Sequence, residues 1–269
     1  MRIPFIKMHG LGNDFVVLDA RREALLPITS DLARSLADRR TGIGCDQLIL
    51  LEASPKADFR MRIFNHDGGE VEACGNASRA VALLHGEPAS IETSGGVIEV
   101  RPADGGIAVD MGMPRFSWQE IPLAYAMDTA SLPVAWEELE NPFAVNVGNP
   151  HVVFFVPDVD AVELDRLGPQ IEHDPIFPDR VNVNVAQVIN RSAILLRVWE
   201  RGAGLTRACG TGACATAIAA MTKGLVDSEV AVTLPGGTLA IAWEEGEPIV
   251  MTGPAAESFR GTFDPADYA

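Results

Sequence analysis

The feature that most constrains this chain is an internal duplication. Residues 61–75 (Met-Arg-Ile-Phe-Asn-His-Asp-Gly-Gly-Glu-Val-Glu-Ala-Cys-Gly) recur at 196–210 as Leu-Arg-Val-Trp-Glu-Arg-Gly-Ala-Gly-Leu-Thr-Arg-Ala-Cys-Gly, which sets Arg62 on Arg197, Phe64 on Trp199, Gly69 on Gly204 and Cys74 on Cys209. Four further matches fall in the same order. Gly12-Asn13 and Gly148-Asn149 each precede an apolar run, and Asp38-Arg39 and Gln47 recur as Asp179-Arg180 and Gln187. Gly95-Gly96 returns as Gly236-Gly237, and Met111-Gly-Met-Pro114 as Met251-Thr-Gly-Pro254. A chain that repeats itself at long period folds as copies of one unit. The expected halves are 1–116, joined by a returning 254–269, and 117–253.

β-branched and apolar runs flanked by turn residues predict strands at 15–19, 48–52, 60–64, 91–100 and 107–111, and helices at 31–38 and 77–84. The N-terminal Ile-Pro-Phe-Ile is itself strand-like. The second half reads as strands 152–156, 185–189, 193–199, 230–234 and 239–243 around a helix at 213–223. The proline-bearing stretch 112–142, weak in periodicity, reads as a linker. The class is α+β, with two related domains.

The 269 residues carry a net charge of −16, from 21 basic and 37 acidic side chains. Such a surface repels phosphate backbones and anionic lipid headgroups, which argues against nucleic-acid and membrane partners. No apolar run reaches the roughly 18 residues needed to cross a bilayer, and the N-terminus lacks a secretory apolar stretch. The expected location is the cytoplasm. There, four cysteines (Cys45, Cys74, Cys209 and Cys214) are not a disulfide framework. The spacing of Cys209 and Cys214 matches no common zinc pattern, so no metal is expected.

In both halves the repeated cysteine follows a glycine-containing loop and begins a helix: Cys74-Gly-Asn-Ala-Ser-Arg and Cys209-Gly-Thr-Gly-Ala-Cys. A helix N-terminus offers unpaired N–H groups and partial positive charge. Those groups lower a thiol's pKa and, flanked by small residues, admit a carboxylate. With the two halves facing each other, one thiolate would remove a Cα proton while the other thiol protonates the opposite face. No cofactor is then required. Either cysteine alone reads better as a small buried residue at a helix–strand junction; its duplication is what reverses the balance toward chemistry. Cys45 and Cys214 have no counterpart (Ser78-Arg79 stands opposite Ala213-Cys214) and read as structural.

Four motifs resemble the diaminopimelate epimerase family: His-Gly-Leu-Gly-Asn-Asp-Phe at 9–15, Ala-Cys-Gly-Asn at 73–76, Gly-Asn-Pro-His at 148–151 and Glu-Arg-Gly-Ala-Gly…Ala-Cys-Gly-Thr-Gly-Ala-Cys-Ala at 200–215. The resemblance spans residues 5 to 261. It implies two pseudo-symmetric domains, each a barrel-like, mainly antiparallel sheet around a central helix, and a homodimer. It also implies interconversion of LL- and meso-diaminopimelate, for lysine and cell-wall precursor synthesis. Cys74 and Cys209 then exchange the proton, and Gly75-Asn76 and Gly210-Thr211 receive the reacting carboxylate. Asn13, Gln47, Asn65, Asn149, Asn182, Glu200 and Arg201 hold the rest of the substrate, while His151 and Glu200 tune the cysteine pKa values. An ammonium and a carboxylate at each end of the substrate suit Glu200 and the Arg201 fork. Read from the residues alone, Asn149 serves equally as a turn former, and His151 is more often an ordinary packed histidine. The chain departs from the family at Ala77-Ser78, at Leu205, where a Glu is common, and at Thr211, where a Ser is common.

Two other readings follow from the same residues. One is a racemase of proline, hydroxyproline or histidine on this scaffold. The other is a thiol redox or ligand-binding protein. A pyridoxal enzyme would need a Schiff-base lysine, and Lys7, Lys56 and Lys223 lie in no motif for it.

Overall fold

The computed structural model describes residues 2–23, 25–71 and 75–268. The chain divides into two units, 1–109 with 253–269, and 110–252.

The first unit is one mixed sheet. Strand β1 (Ile3–Gly10) pairs antiparallel with β2 (Asn13–Ala20), and β2 pairs parallel with β3 (Gln47–Glu52). Next come β4 (Phe59–Asn65), antiparallel to β3, and the short β5 (Glu70–Val71), antiparallel to β4. The parallel neighbour β6 (Ala89–Thr93) follows on β4, then antiparallel β7 (Gly96–Ala103) and β8 (Gly106–Asp110). The C-terminal strand Ala256–Phe263 returns to pair antiparallel with β1.

Alternation sorts the side chains between two helices. Val16, Leu18, Leu48, Leu50 and Phe64 form one buried cluster with Leu32, Ala33, Leu36 and Ala37 of α1 (Ser30–Ala37). That helix is N-capped by Thr29, whose hydroxyl accepts from the Leu32 N–H at 3.2 Å. Helix α2 (Gly75–His85) packs against β1, β2, β7 and the C-terminal strand.

The second unit repeats this plan step for step. A small hairpin, β9 (Ala135–Trp136) and β10 (Leu139–Glu140), comes first. Then β11 (Phe143–Asn146) pairs antiparallel with β12 (Pro150–Phe155), and β12 parallel with β13 (Asn182–Asn190). Strand β14 (Ala193–Glu200) is antiparallel to β13, and β15 (Gly204–Thr206) is antiparallel to β14. The parallel β16 (Glu229–Leu234) follows on β14, then antiparallel β17 (Gly237–Ala242) and β18 (Val250–Gly253). The sequence of parallel and antiparallel pairings from β11 to β18 is that from β1 to β8. Helix α3 (Leu164–Glu172) stands where α1 stands, and α4 (Gly210–Thr222) where α2 stands.

Helix α4 is buried on every side from Gly212 to Ala220 and touches six strands, β11, β12, β13, β14, β16 and β17. A sheet that meets one helix from so many strands has curled around it. The helix is correspondingly rich in alanine and glycine, which lets it fit inside.

Two expectations change. The strand expected over 91–100 is a hairpin, β6–β7, closed by the Thr93↔Gly96 pair across Ser94-Gly95. The stretch 112–142 is no spacer: Ile121, Leu123, Leu132 and Leu139 are buried in one cluster with Val152, Phe154, Leu167, Ile171, Val183 and Val185. Apolar residues without periodicity hide core membership from the sequence.

Candidate active site

In the first unit the register places Phe15 beside Gln47 and Gln47 beside Asn65, at the sheet end where β2 and β3 begin and β4 stops. Gln47 Nε2 donates to Asn65 Oδ1 at 3.0 Å, while Gln47 Oε1 is buried with no hydrogen-bond partner among the described residues. Asn13 lies at the start of β2. Its Oδ1 accepts from Asn76 Nδ2 at 3.2 Å, and its Nδ2 donates to Asp46 Oδ2 at 3.0 Å. Asn76 and Gly75 open α2, and Asn76 Oδ1 accepts from Arg79 Nη2 at 2.6 Å.

Charged groups lie behind these amides. Arg79, with no exposed surface, also donates to the carbonyls of Gly75 and Pro254, each at 3.4 Å. Asp46 accepts from Arg39 at 2.7 Å, Arg39 also grips Asp14, and Lys7 pairs with Asp14. Burial alone would raise the Asp14 carboxyl, but hydrogen bonds from Arg39 and Lys7 hold it well below the carboxylate range. Cys74 lies outside the described residues.

In the second unit Cys209 caps α4. Its backbone is extended (φ −134°, ψ 106°), and its Sγ accepts from the Gly212 N–H at 3.3 Å, with Thr211 Oγ1 at 3.6 Å. Gly210 is the first helical residue. Glu200, at the end of β14, accepts from the Thr206 hydroxyl across the β14–β15 turn. Gly202 and Gly204 take positive φ (76° and 84°), which lets the chain reverse so tightly.

The thiol's acidity is opposite to the sequence expectation. Burial pushes the Cys209 thiol well above its ordinary value, and the Glu200 carboxylate pushes it further. The hydroxyl of Thr211 and the Gly212 N–H act the other way and are outweighed. The helix end supplies its donors as expected, but desolvation and a neighbouring anion decide the sign. Leu205 is half exposed, so this departure from the family leaves no buried gap beside Cys209.

His151, wholly buried on β12, lies beside Asn182 of β13. Its Nε2 meets Asn149 Oδ1 at 2.8 Å, and its Nδ1 meets Asn184 Nδ2 at 3.1 Å. Burial, with the Arg201 cation adding to it, pushes His151 down to about 3, so the ring is neutral. Asn182 spends its amide on backbone, accepting from the Arg201 N–H at 3.0 Å and donating to Pro150 O at 2.8 Å. Arg201 Nη1 donates to Asp179 O at 2.9 Å, and the side chain is otherwise exposed. The buried Glu172 of α3 fixes this turn from behind, accepting from Trp199 Nε1 at 2.7 Å and from the Gly202 N–H at 3.0 Å.

The sheet register corrects one repeat match. Phe15 pairs with Gln47 as His151 pairs with Asn182, so Asn182, and not Gln187, is the counterpart of Gln47. Two residues on, Ile49 corresponds to Asn184. That asparagine was absent from the sequence reading. Its signal was an asparagine inside an apolar, β-branched strand, a position where such residues are scarce.

Among the described residues no group of three or more His, Cys, Asp or Glu is arranged to hold a metal ion. Nor is any helix among them long and apolar enough to cross a membrane. Cys45, Cys209 and Cys214 are buried, and burial pushes the Cys45 thiol up to about 11.

The family model for diaminopimelate epimerase matches residues 5–117 and 143–257. A curated diaminopimelate epimerase of Erythrobacter litoralis is 72% identical, with both chains covered in full. One from Rhizorhabdus wittichii is 67% identical over 98% of this chain and 96% of its own. Among solved structures, a phenazine biosynthesis protein of the PhzF family from Bacillus anthracis aligns with TM-score 0.69 at 16% identity, covering 98% of this chain and 99% of its own. A hydroxyproline epimerase from Agrobacterium vitis aligns with TM-score 0.68 at 15% identity, covering 99% and 94%. These two share the fold.

Proposed function

This chain belongs to the diaminopimelate epimerase family, and on that premise we propose that it interconverts LL- and meso-diaminopimelate with Cys74 and Cys209 as the two proton-transfer groups. It is an isomerase, an epimerase. Inverting one carbon by proton transfer needs a base on one face of that carbon and an acid on the other. One thiolate takes the Cα proton, the electron pair moves into the α-carboxylate as an enolate, and the second thiol returns a proton to the opposite face. Donors at the two helix starts, Gly75-Asn76 and Gly210-Thr211, stabilise the charge as it develops.

The observation that carries this reading is the Cys209 site. The sulfur sits at the first turn of a buried helix, faces that turn's N–H and hydroxyl donors, and has a carboxylate as neighbour. Raised by burial and Glu200, Cys209 rests as the thiol, the form that delivers a proton. In the reverse direction it is the base, and the labels exchange. The amides of Asn13, Gln47, Asn65, Asn76, Asn149 and Asn182, with Glu200 and Arg201, form the substrate-holding set, and His151 supports Asn149. The reading extends to a cytoplasmic homodimer acting on a small molecule and on neither nucleic acid nor membrane, supported by the family and the acidic charge.

The test is solvent exchange. In D2O the enzyme incorporates deuterium at Cα of diaminopimelate, and Cys74→Ser and Cys209→Ser each reduce turnover by orders of magnitude. Full turnover by either variant, or exchange confined to proline or another amino acid, overturns the proposal.

A further inference from the structure

Asn184 sits between two parts of the second unit that the mechanism uses, His151 and the first turn of α4. It has no exposed surface. Its amide nitrogen lies 2.9 Å from Val152 O, 3.5 Å from Asn182 O and 3.1 Å from His151 Nδ1. Carbonyl oxygens only accept, so Val152 O fixes which end of the amide is NH2. Its second hydrogen then points at His151 Nδ1, which must be a bare lone pair.

The single proton of the neutral ring is therefore on Nε2, and it is donated to Asn149 Oδ1 at 2.8 Å. With its oxygen pinned, Asn149 is left to present its NH2, whose hydrogens have no protein partner among the described residues. The polarity of one half-buried amide is thus set two residues deep. The first unit has no such device, because Phe15 and Ile49 occupy the positions of His151 and Asn184.

We propose that Asn184 is a positioning residue that fixes His151 as the Nε2–H tautomer and thereby makes Asn149 a hydrogen-bond donor toward the substrate. The inference rests on the epimerase reading for its last step only. The tautomer is a property of the free protein.

Asn184 Oδ1 adds a constraint on the test. It is buried without a partner among the described residues, and a Cβ built on Gly212 would lie 2.7 Å from it, so it faces the turn whose N–H holds the Cys209 sulfur. A substitution at 184 must keep side-chain volume there. Asn184→Asp keeps the shape and replaces the donor with an acceptor. Facing a carboxylate, His151 moves its proton to Nδ1, Nε2 becomes the acceptor, and Asn149 turns its NH2 inward.

The experiment is long-range 1H–15N correlation spectroscopy of the five imidazoles in the full-length protein, with His151 assigned by the signal lost in His151→Gln. The native ring is expected to show a protonated Nε2 and a bare Nδ1. Asn184→Asp is expected to exchange the two, and its KM for diaminopimelate to rise about tenfold or more while kcat falls far less. Such a rise is about 1.4 kcal/mol, one hydrogen bond reversed in sign. A protonated Nδ1 in the native enzyme overturns the proposal whether or not the variant folds. So does a variant whose tautomer switches while KM stays unchanged. If the native enzyme shows the expected tautomer but does not exchange diaminopimelate, the function is wrong and the tautomer assignment stands.

Discussion

Among the described residues His151 is hydrogen-bonded to two amides and to no carboxylate, and this has a consequence for stability. Its folded pKa of about 3 lies below the 6.5 of a free imidazole. Between those values the unfolded chain binds a proton that the native protein refuses. The histidine's contribution is therefore intact at neutral pH and is lost progressively as pH falls from 6.5 toward 3. The urea midpoint is expected to drop between pH 7 and 4.5, a window above most carboxylate titrations, and to drop less in His151→Gln. Equal slopes would place the proton elsewhere. Cys209 works in the opposite direction, because a raised pKa stabilises the fold below the thiol's ordinary range and ceases to do so as pH climbs. Glu200→Gln removes the anion that assists burial, so alkylation of Cys209 by iodoacetamide is expected to begin at lower pH in that variant; an unmoved or raised profile would show that Glu200 does not act on the sulfur. The cysteine's place at a helix start was readable from its glycine-rich loop. The direction of its acidity was not, since burial and the approach of Glu200 are products of tertiary packing. Asn184 was hidden for a related reason: its role needs Val152, His151 and Gly212, which meet it only across strands and through the buried helix.

The elements show where a repeat informs and where it misleads. Each half folds a β–β–α–β–β plan, so the hairpin of β16 and β17, recognised as two strands, already implied a break in 91–100 at Ser94-Gly95. Alternation continues on both sides of that turn, and periodicity alone runs the two strands together. Helix α3 was missed because Gly168 and Pro169 lie inside it and weaken its pattern. Gly168 has a packing reason: a Cβ there would lie 2.5 Å from Cγ and Cδ2 of the Trp199 ring. Trp199 is bonded to Glu172, which also holds the Gly202 N–H, so displacing the ring disturbs the turn carrying Glu200 and Arg201. Gly168→Ala is expected to cost about 1–3 kcal/mol by overpacking and to raise KM, read from urea denaturation and from kinetics on the same sample. A variant as stable as the native protein would mean that the ring moves aside freely.

At the scale of the whole molecule, the two units differ in how the chain builds them. The first is discontinuous, because β1 is completed by the C-terminal strand Ala256–Phe263 after the second unit has been made. The second is one uninterrupted segment, 110–252. Every β17–β18 pair falls within it, the last being Ala240↔Thr252. Its cores are its own as well. The stretch 112–142 packs Ile121, Leu123, Leu132 and Leu139 on the outer face of the sheet with α3, and α4 fills the inner side. A unit whose successive pairings from β11 to β18 and whose apolar cluster lie within one segment meets the condition for folding alone. Residues 110–252 expressed by themselves are therefore expected to give a sheet-rich circular dichroism spectrum, dispersed amide resonances and a single cooperative urea transition. Residues 1–109 alone, lacking the partner strand of β1, are expected to give none of these. The second fragment carries Cys209, Glu200 and His151 but not Cys74, so it should keep the His151 tautomer and show no epimerase turnover. A collapsed 110–252 fragment without cooperative unfolding would show that its core depends on the first unit. Turnover by the folded fragment would show that one cysteine suffices.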